Sequence, residues 1–157
     1  MMDIDKILLF LRELKNQNVE YVLVGAIGLT VHGIVRATQD VDIFLSPEEN
    51  NVSRMRCALK LVFPEDASID EIIAADLKGE YPAIRYNSPD GSLQLDILAR
   101  LGEAFSYDDI QFEEKVYEGV PVRVATPEML YRMKKNTVRL QDRADAEALR
   151  EIFGLKE

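Results

Sequence analysis

Apolar positions recur along this chain in two rhythms, one helical and one extended. From Asp3 to Asn18, the residues Ile4, Ile7, Leu8, Leu11 and Leu14 fall at helical spacing, with Asp3 or Asp5 placed to cap the start. Val19 to Val24 then reads as a buried strand stopped by Gly25. A short helix over Ile27 to His32 follows, closed by Gly33. Asp40 to Leu45 is a second strand. Its period of two sends Asp40 and Asp42 to one face and Val41, Ile43 and Leu45 to the other. Ser46-Pro47-Glu48-Glu49 predicts an N-cap, a proline at the first helical position and acids in the first turn of a helix reaching Val62. Cys57 lies in that helix and reads as a small buried side chain. Ser68 opens a further short helix through Ala75.

Pro82 to Tyr86 is a third strand, and Ser88-Pro89-Asp90-Gly91 is a turn. Ser92 to Ala99 is a fourth strand, with Leu93, Leu95 and Ile97 on one face and Gln94, Asp96 and Leu98 on the other. Gln111 to Tyr117 and Val120 to Val124 flank Gly119 as an edge hairpin. Thr126-Pro127-Glu128 starts a helix reaching Thr137. Gln141 to Phe153 forms the last helix, with Ala144, Ala148, Leu149 and Ile152 on its apolar stripe. Few strand pairs have the intervening helix that a wholly parallel sheet demands. The expectation is an α/β (α+β) fold with a mixed β-sheet, helices on one side and a helical C-terminus, as one domain over residues 1–157.

Composition narrows the function classes. Lys and Arg total 19 against 28 Asp and Glu, a net charge of −9. General DNA binding is not expected of such a chain, because that affinity rests largely on cations neutralising phosphates. The single cysteine excludes an internal disulfide. No apolar run approaches the length of a membrane span, and the acidic start MMDIDKILLF is unlike a secretory leader, so a cytoplasmic protein is expected.

Three features bear on chemistry. Gly25-Ala26 lies at a strand-to-helix turn, where backbone amides can meet phosphate or the glycine can simply make a tight turn. Asp40 and Asp42 leave one strand on one face. Asp96 interrupts an apolar strand, where a carboxylate is rare unless paired or metal-bound. Together they suggest carboxylates meeting across adjacent strands around a cation; Mg²⁺ suits oxygen ligands and phosphate-bearing substrates. His32, the only histidine, reads as packing and bonding locally. The glycines at 25, 28 and 33 do not form the dinucleotide-binding G-x-G-x-x-G, so that reading ranks low.

The stretch VEYVLVGAIGLTVHGIVRATQDVDIFL resembles the core motif of minimal nucleotidyltransferases in the DNA polymerase β superfamily. That motif is a glycine followed by Gly or Ser, a helix, then an acidic pair with one residue between; here Gly25-Ala26 precedes Asp40-Val41-Asp42. Asp96 in LQLDIL matches the family's third carboxylate. The C-terminal stretch VATPEMLYRMKK…RLQDRADAEALREIFGL resembles the toxin–antitoxin-associated branch, with Lys134 or Lys135, Asp142 and Asp145 at matching positions. Ala26 departs from the motif: it keeps the backbone amide but has no hydroxyl to offer.

The resemblance implies a nucleotidyltransferase-like domain. It implies Mg²⁺-dependent transfer of a nucleoside monophosphate from an NTP such as ATP to a hydroxyl of a protein, tRNA or small molecule. Asp40, Asp42 and Asp96 would be the catalytic carboxylates and the ligands of two Mg²⁺ ions, with Asp96 helping to deprotonate the attacking hydroxyl. Gly25, Ala26, Arg36, Thr38 and Lys134 would contact nucleotide. Arg36 equally reads as pairing with a carboxylate, Thr38 as satisfying loop backbone, and Lys134 as a solvated helix cation; Asp142 and Asp145 either orient Lys134 or, the preferred reading, are ordinary charged positions of the last helix. The alternative is a catalytically weak nucleotide-binding or antitoxin-type module with the same fold.

Overall fold

The computed structural model describes residues 3–36, 40–79, 82–101, 105–135 and 140–156. Helix α1 (Ile4–Asn16) is capped by the Asp3 side chain, which accepts from Asp5 N–H. Its buried stripe is Ile7, Phe10, Leu11 and Leu14, and Ile4 stays exposed. Strand β1 (Tyr21–Val24) runs directly into α2 (Gly25–Val31), and β2 (Val41–Leu45) precedes α3 (Glu49–Val62). Two 3₁₀ turns, Ala67–Glu71 and Ala74–Leu77, stand where one short helix was expected. Then come β3 (Ala83–Asn87), β4 (Gln94–Leu98), β5 (Arg100–Leu101), β6 (Phe105–Ser106), β7 (Phe112–Tyr117), β8 (Val120–Ala125), α4 (Pro127–Lys134) and α5 (Leu140–Phe153).

Six strands form one mixed sheet in the order β3-β4-β2-β1-β8-β7, and β5 pairs with β6 apart from it. The β2–β4 and β1–β8 pairs are parallel; β1–β2, β3–β4 and β7–β8 are antiparallel. The expected edge hairpin is thus half right: β7 is an edge, but β8 lies inside, beside β1.

Helices cover both faces, not one. Leu23 of β1, Val41, Ile43 and Leu45 of β2, and Leu95 and Ile97 of β4 join α1 and α3 in the larger core. Val22, Val24 and Phe44 point the other way, into a second core with Met129 and Leu130 of α4 and Leu149 of α5. The carboxylates of β2 and β4 therefore share a face with the C-terminal helices.

Three local expectations are corrected. Helix α3 begins at Glu49 with Glu48 as N-cap, not at Ser46. Ser46 is instead tied to β1: its N–H donates to Glu20 O at 3.2 Å. Cys57 is exposed, because the buried stripe of α3 follows Val52, Met55, Ala58, Leu59 and Val62, and position 57 falls off that phase. On α5, Ala144 and Ile152 face outward and Asp145, Ala146 and Leu149 face inward. A carboxylate holds the inward position because two cations meet it there.

Asn51, fully buried on α3, was not singled out by its sequence context. Its Oδ1 accepts from Glu20 N–H at 2.7 Å, and its Nδ2 donates to Glu20 O and Ser46 O, each at 2.9 Å. It clamps the start of β1 to the end of β2. Asn51→Ala is expected to cost about 2–3 kcal/mol in urea unfolding, since it strands the buried Ser46 carbonyl and removes the partner of the Glu20 N–H. A loss below about 0.5 kcal/mol would show the clamp to be idle.

Candidate active site

The site grows from strand register. Parallel pairing of β2 and β4 sets Asp42 opposite Asp96, and antiparallel pairing of β1 and β2 sets Val24 opposite Asp42. Asp40 precedes β2 by one residue and, by the alternation of an extended chain, leaves on the same face as Asp42. The chain turns from β1 into α2 at Gly25, against Asp42. Gly25 has φ +67°, and a Cβ there would lie 2.1 Å from Asp42 Oδ2. Two independent constraints, backbone hand and space, therefore demand glycine at this position. Helix α2 has Val24 as N-cap, which offers no side-chain hydrogen bond, so among the described residues no side-chain cap meets the first amides of α2.

Asp42 is pushed up to about 7. Burial is the main cause, followed by the charges of Asp96 and Asp40 and a hydrogen bond with Asp96; Lys134 pulls the other way. Two carboxylates this close cannot both ionise cheaply without a cation.

A cation is already present. Arg85 on β3 is the cross-strand partner of Asp96. Its Nε donates to Asp96 Oδ1 at 2.7 Å and its Nη2 to Asp96 Oδ2 at 3.1 Å, a two-pronged pair. Nη2 also lies 3.7 Å from Asp40 Oδ2. These carboxylates hold the guanidinium above its ordinary pKa, Asp96 most strongly. Among the described residues, no three carboxylate, imidazole or thiol groups converge as a ready metal site. The donors are nonetheless of the right chemistry for a hard cation: anionic oxygens of paired, mutually repelling carboxylates, with a positive group drawn to them.

Behind this lies a second polar cluster. Lys134 Nζ on α4 donates to Asp142 Oδ1 at 3.1 Å and to Asp145 Oδ2 at 3.2 Å on α5. Arg36 pairs with the same Asp145, which is only 3% exposed. Asp142 and Asp145 thus orient Lys134, and Arg36 takes the carboxylate-pairing reading. Thr38 lies outside the described residues. His32 is apart from the site: its Nε2 lies 2.8 Å from Ala125 O, its ring stacks edge-on to Phe153, and burial lowers its pKa. Lys115 Nζ stands 3.4 Å from Nδ1, so the partners assign the Nε2–H tautomer.

Arg85 is the site residue that the sequence reading missed. The turn Ser88-Pro89-Asp90-Gly91 alone would have set Arg85 opposite Gln94; the hairpin closes two residues wider, with Ser88 N–H donating to Leu93 O at 2.9 Å, and that register sets Arg85 opposite Asp96. Asp90 locks that turn by accepting from Ser88 Oγ, Ser92 Oγ and Ser92 N–H, contacts that hold its carboxyl at about 2.

No family model and no curated sequence matches the chain. Solved structures do. An antigenic nucleotidyltransferase-like protein from Paracoccidioides brasiliensis superposes with TM-score 0.58 at 15% identity, over 96% of this chain and 78% of that one. A nucleotidyltransferase candidate from Thermotoga maritima gives 0.56 at 17% identity, over 98% and 96%. ANT(2″)-Ia in complex with adenylyl-2″-tobramycin gives 0.59 at 13% identity, over 96% and 89%. Among the described residues, no helix is long and apolar enough to cross a membrane.

Proposed function

We propose that this chain, which has the nucleotidyltransferase fold, transfers a nucleoside monophosphate from an NTP to a hydroxyl acceptor with the help of Mg²⁺. The observation that carries the reading is the register of β2 on β4, which sets Asp42 opposite Asp96 with Gly25 pressed against the pair. Asp40, Asp42 and Asp96 are the residues that would hold the cation. Once bound, the ion would offset phosphate charge and make the attacking hydroxyl more acidic.

The chain's own groups supply the rest. Asp96, on β4 beside the edge strand β3, would accept the proton of the acceptor hydroxyl once Arg85 has left it. The first amides of α2, at Gly25 and Ala26, face phosphate oxygens. Lys134, fixed by Asp142 and Asp145, adds a positive charge that reaches Asp42. Arg36, in the segment before β2, is paired with Asp145 and would meet nucleotide only on leaving it. The acceptor is a small molecule, a tRNA or a protein; the adenylylated tobramycin held by ANT(2″)-Ia makes aminoglycosides one arm of the search.

The test is label transfer from α-labelled ATP, with Mg²⁺, to a panel of aminoglycosides, tRNA and cell proteins. Asp96→Ala should abolish transfer while sparing part of the NTP binding. Transfer by Asp96→Ala at the wild-type rate would remove Asp96 from the mechanism. A second reading, a nucleotide-binding or antitoxin-type module with weak catalysis, is favoured by Ala26, which lacks a hydroxyl, and by the guanidinium seated on Asp96. It predicts Mg²⁺-dependent NTP binding with no label transferred.

A further inference from the structure

We infer that Arg85 is the resident counter-cation of the carboxylate group, and that a divalent ion reaches Asp96 only by displacing it. The inference rests on the metal-site reading above. Both oxygens of Asp96 are taken by the guanidinium, at 2.7 and 3.1 Å. The same group reaches toward Asp40, at 3.7 Å. One positive side chain thus spans two of the three carboxylates assigned to metal.

Placement makes Arg85 a fixed competitor and not a stray surface pair. Strand β3 is an edge of the sheet, and its register on β4 is pinned by the Asp90 turn, so the Cα of Arg85 cannot drift from Asp96. The side chain itself is 55% exposed and free to swing outward once Asp96 is claimed. An arginine here serves two ends. It relieves carboxylate repulsion while the site is empty, and it sets a threshold that weak cation binding cannot cross. Ligation of Asp96 then depends on how well an incoming ion competes with a guanidinium.

The test is titration with Mn²⁺, followed by the paramagnetic signal of the free ion, on wild type, Arg85→Gln and Arg85→Lys. Arg85→Gln is expected to bind Mn²⁺ about five- to tenfold more tightly, the scale of one partly exposed charge-assisted pair. Arg85→Lys keeps the charge but loses the fork, and should fall between. In thermal melts, Arg85→Gln should start lower than wild type without metal and gain more on adding Mn²⁺. Tighter binding by the glutamine variant, including binding where wild type shows none, supports the inference. Equal or weaker binding while wild type binds would overturn the role of Arg85 and leave the metal site standing. No binding by any of the three would overturn both.

Discussion

Asp42→Asn is expected to abolish metal-dependent nucleotide binding and to cut transfer by at least about 10³-fold, the scale of losing a group that stabilises charge in the transition state. The same change should stabilise the metal-free protein at alkaline pH. In the folded protein Asp42 holds its proton up to about 7, whereas a free carboxyl releases it near 3.8. Between those values unfolding releases a proton, so stability falls as pH rises. The contribution of this group is fully present below the free value and is lost as pH passes through 7. Asn carries no such proton. Metal-free wild type should therefore lose about 2–4 kcal/mol between pH 4 and pH 8 from this group, and Asp42→Asn should not. Divalent ions need the ionised carboxylate, so their affinity for wild type should climb across the same window, with proton release on binding. Urea melts at several pH values check the first part. A wild-type profile as flat as that of the variant would show that the carboxylates do not burden one another.

Gly25→Ala should have the largest effect on folding. An L-residue at φ +67° costs about 1–2 kcal/mol. The added methyl would also meet the Asp42 side chain at 2.1 Å from Oδ2 and 2.9 Å from Cβ, so a strand position and not a flexible tip must give way. Overpacking of that kind adds about 1–3 kcal/mol. The sum is about 2–5 kcal/mol, seen as a melting point lowered by roughly 10 °C for a chain of this length. Any folded fraction should bind Mg²⁺ and NTP weakly, because Asp42 has been pushed aside. Wild-type stability and nucleotide affinity in Gly25→Ala would mean that the turn is looser than its geometry.

Much of this was legible beforehand because alternation carries face as well as element. The pattern of β2 placed Asp40 and Asp42 opposite Val41, Ile43 and Leu45, and those three are in the core under α1 and α3. Asp96 stood out because it interrupts an apolar strand, on the face that it shares with Gln94 and Leu98. Periodicity could not show that Asp42 and Asp96 would be neighbours, since parallel pairing of β2 with β4 is a long-range choice. Gly25 was legible as a turn or a phosphate contact, but its closeness to Asp42 depends on where β1 lies beside β2.

Elsewhere polar chemistry overrode the apolar pattern. Helix α5 faces inward with Asp145 because Lys134 and Arg36 wait there, and no hydrophobic stripe announces that. Asn51 sits in the core because two backbone segments need partners, a demand visible only after β1 and β2 are paired. Cys57 misled because apolar neighbours surround it in sequence, while the helix phase carries it to the outside.

The central claim is that Asp42 and its neighbours bind nucleotide through a divalent cation. The most direct measurement is a thermal-shift panel of the four NTPs, each with and without Mg²⁺, on wild type and Asp42→Asn. A ligand that binds only the folded state raises its stability in proportion to RT ln(1 + [L]/Kd), about 2.7 kcal/mol at one hundred times Kd. The account predicts a shift of wild type by at least one NTP that needs Mg²⁺ and vanishes in the variant. No shift with any NTP, or an equal shift in Asp42→Asn, would contradict it.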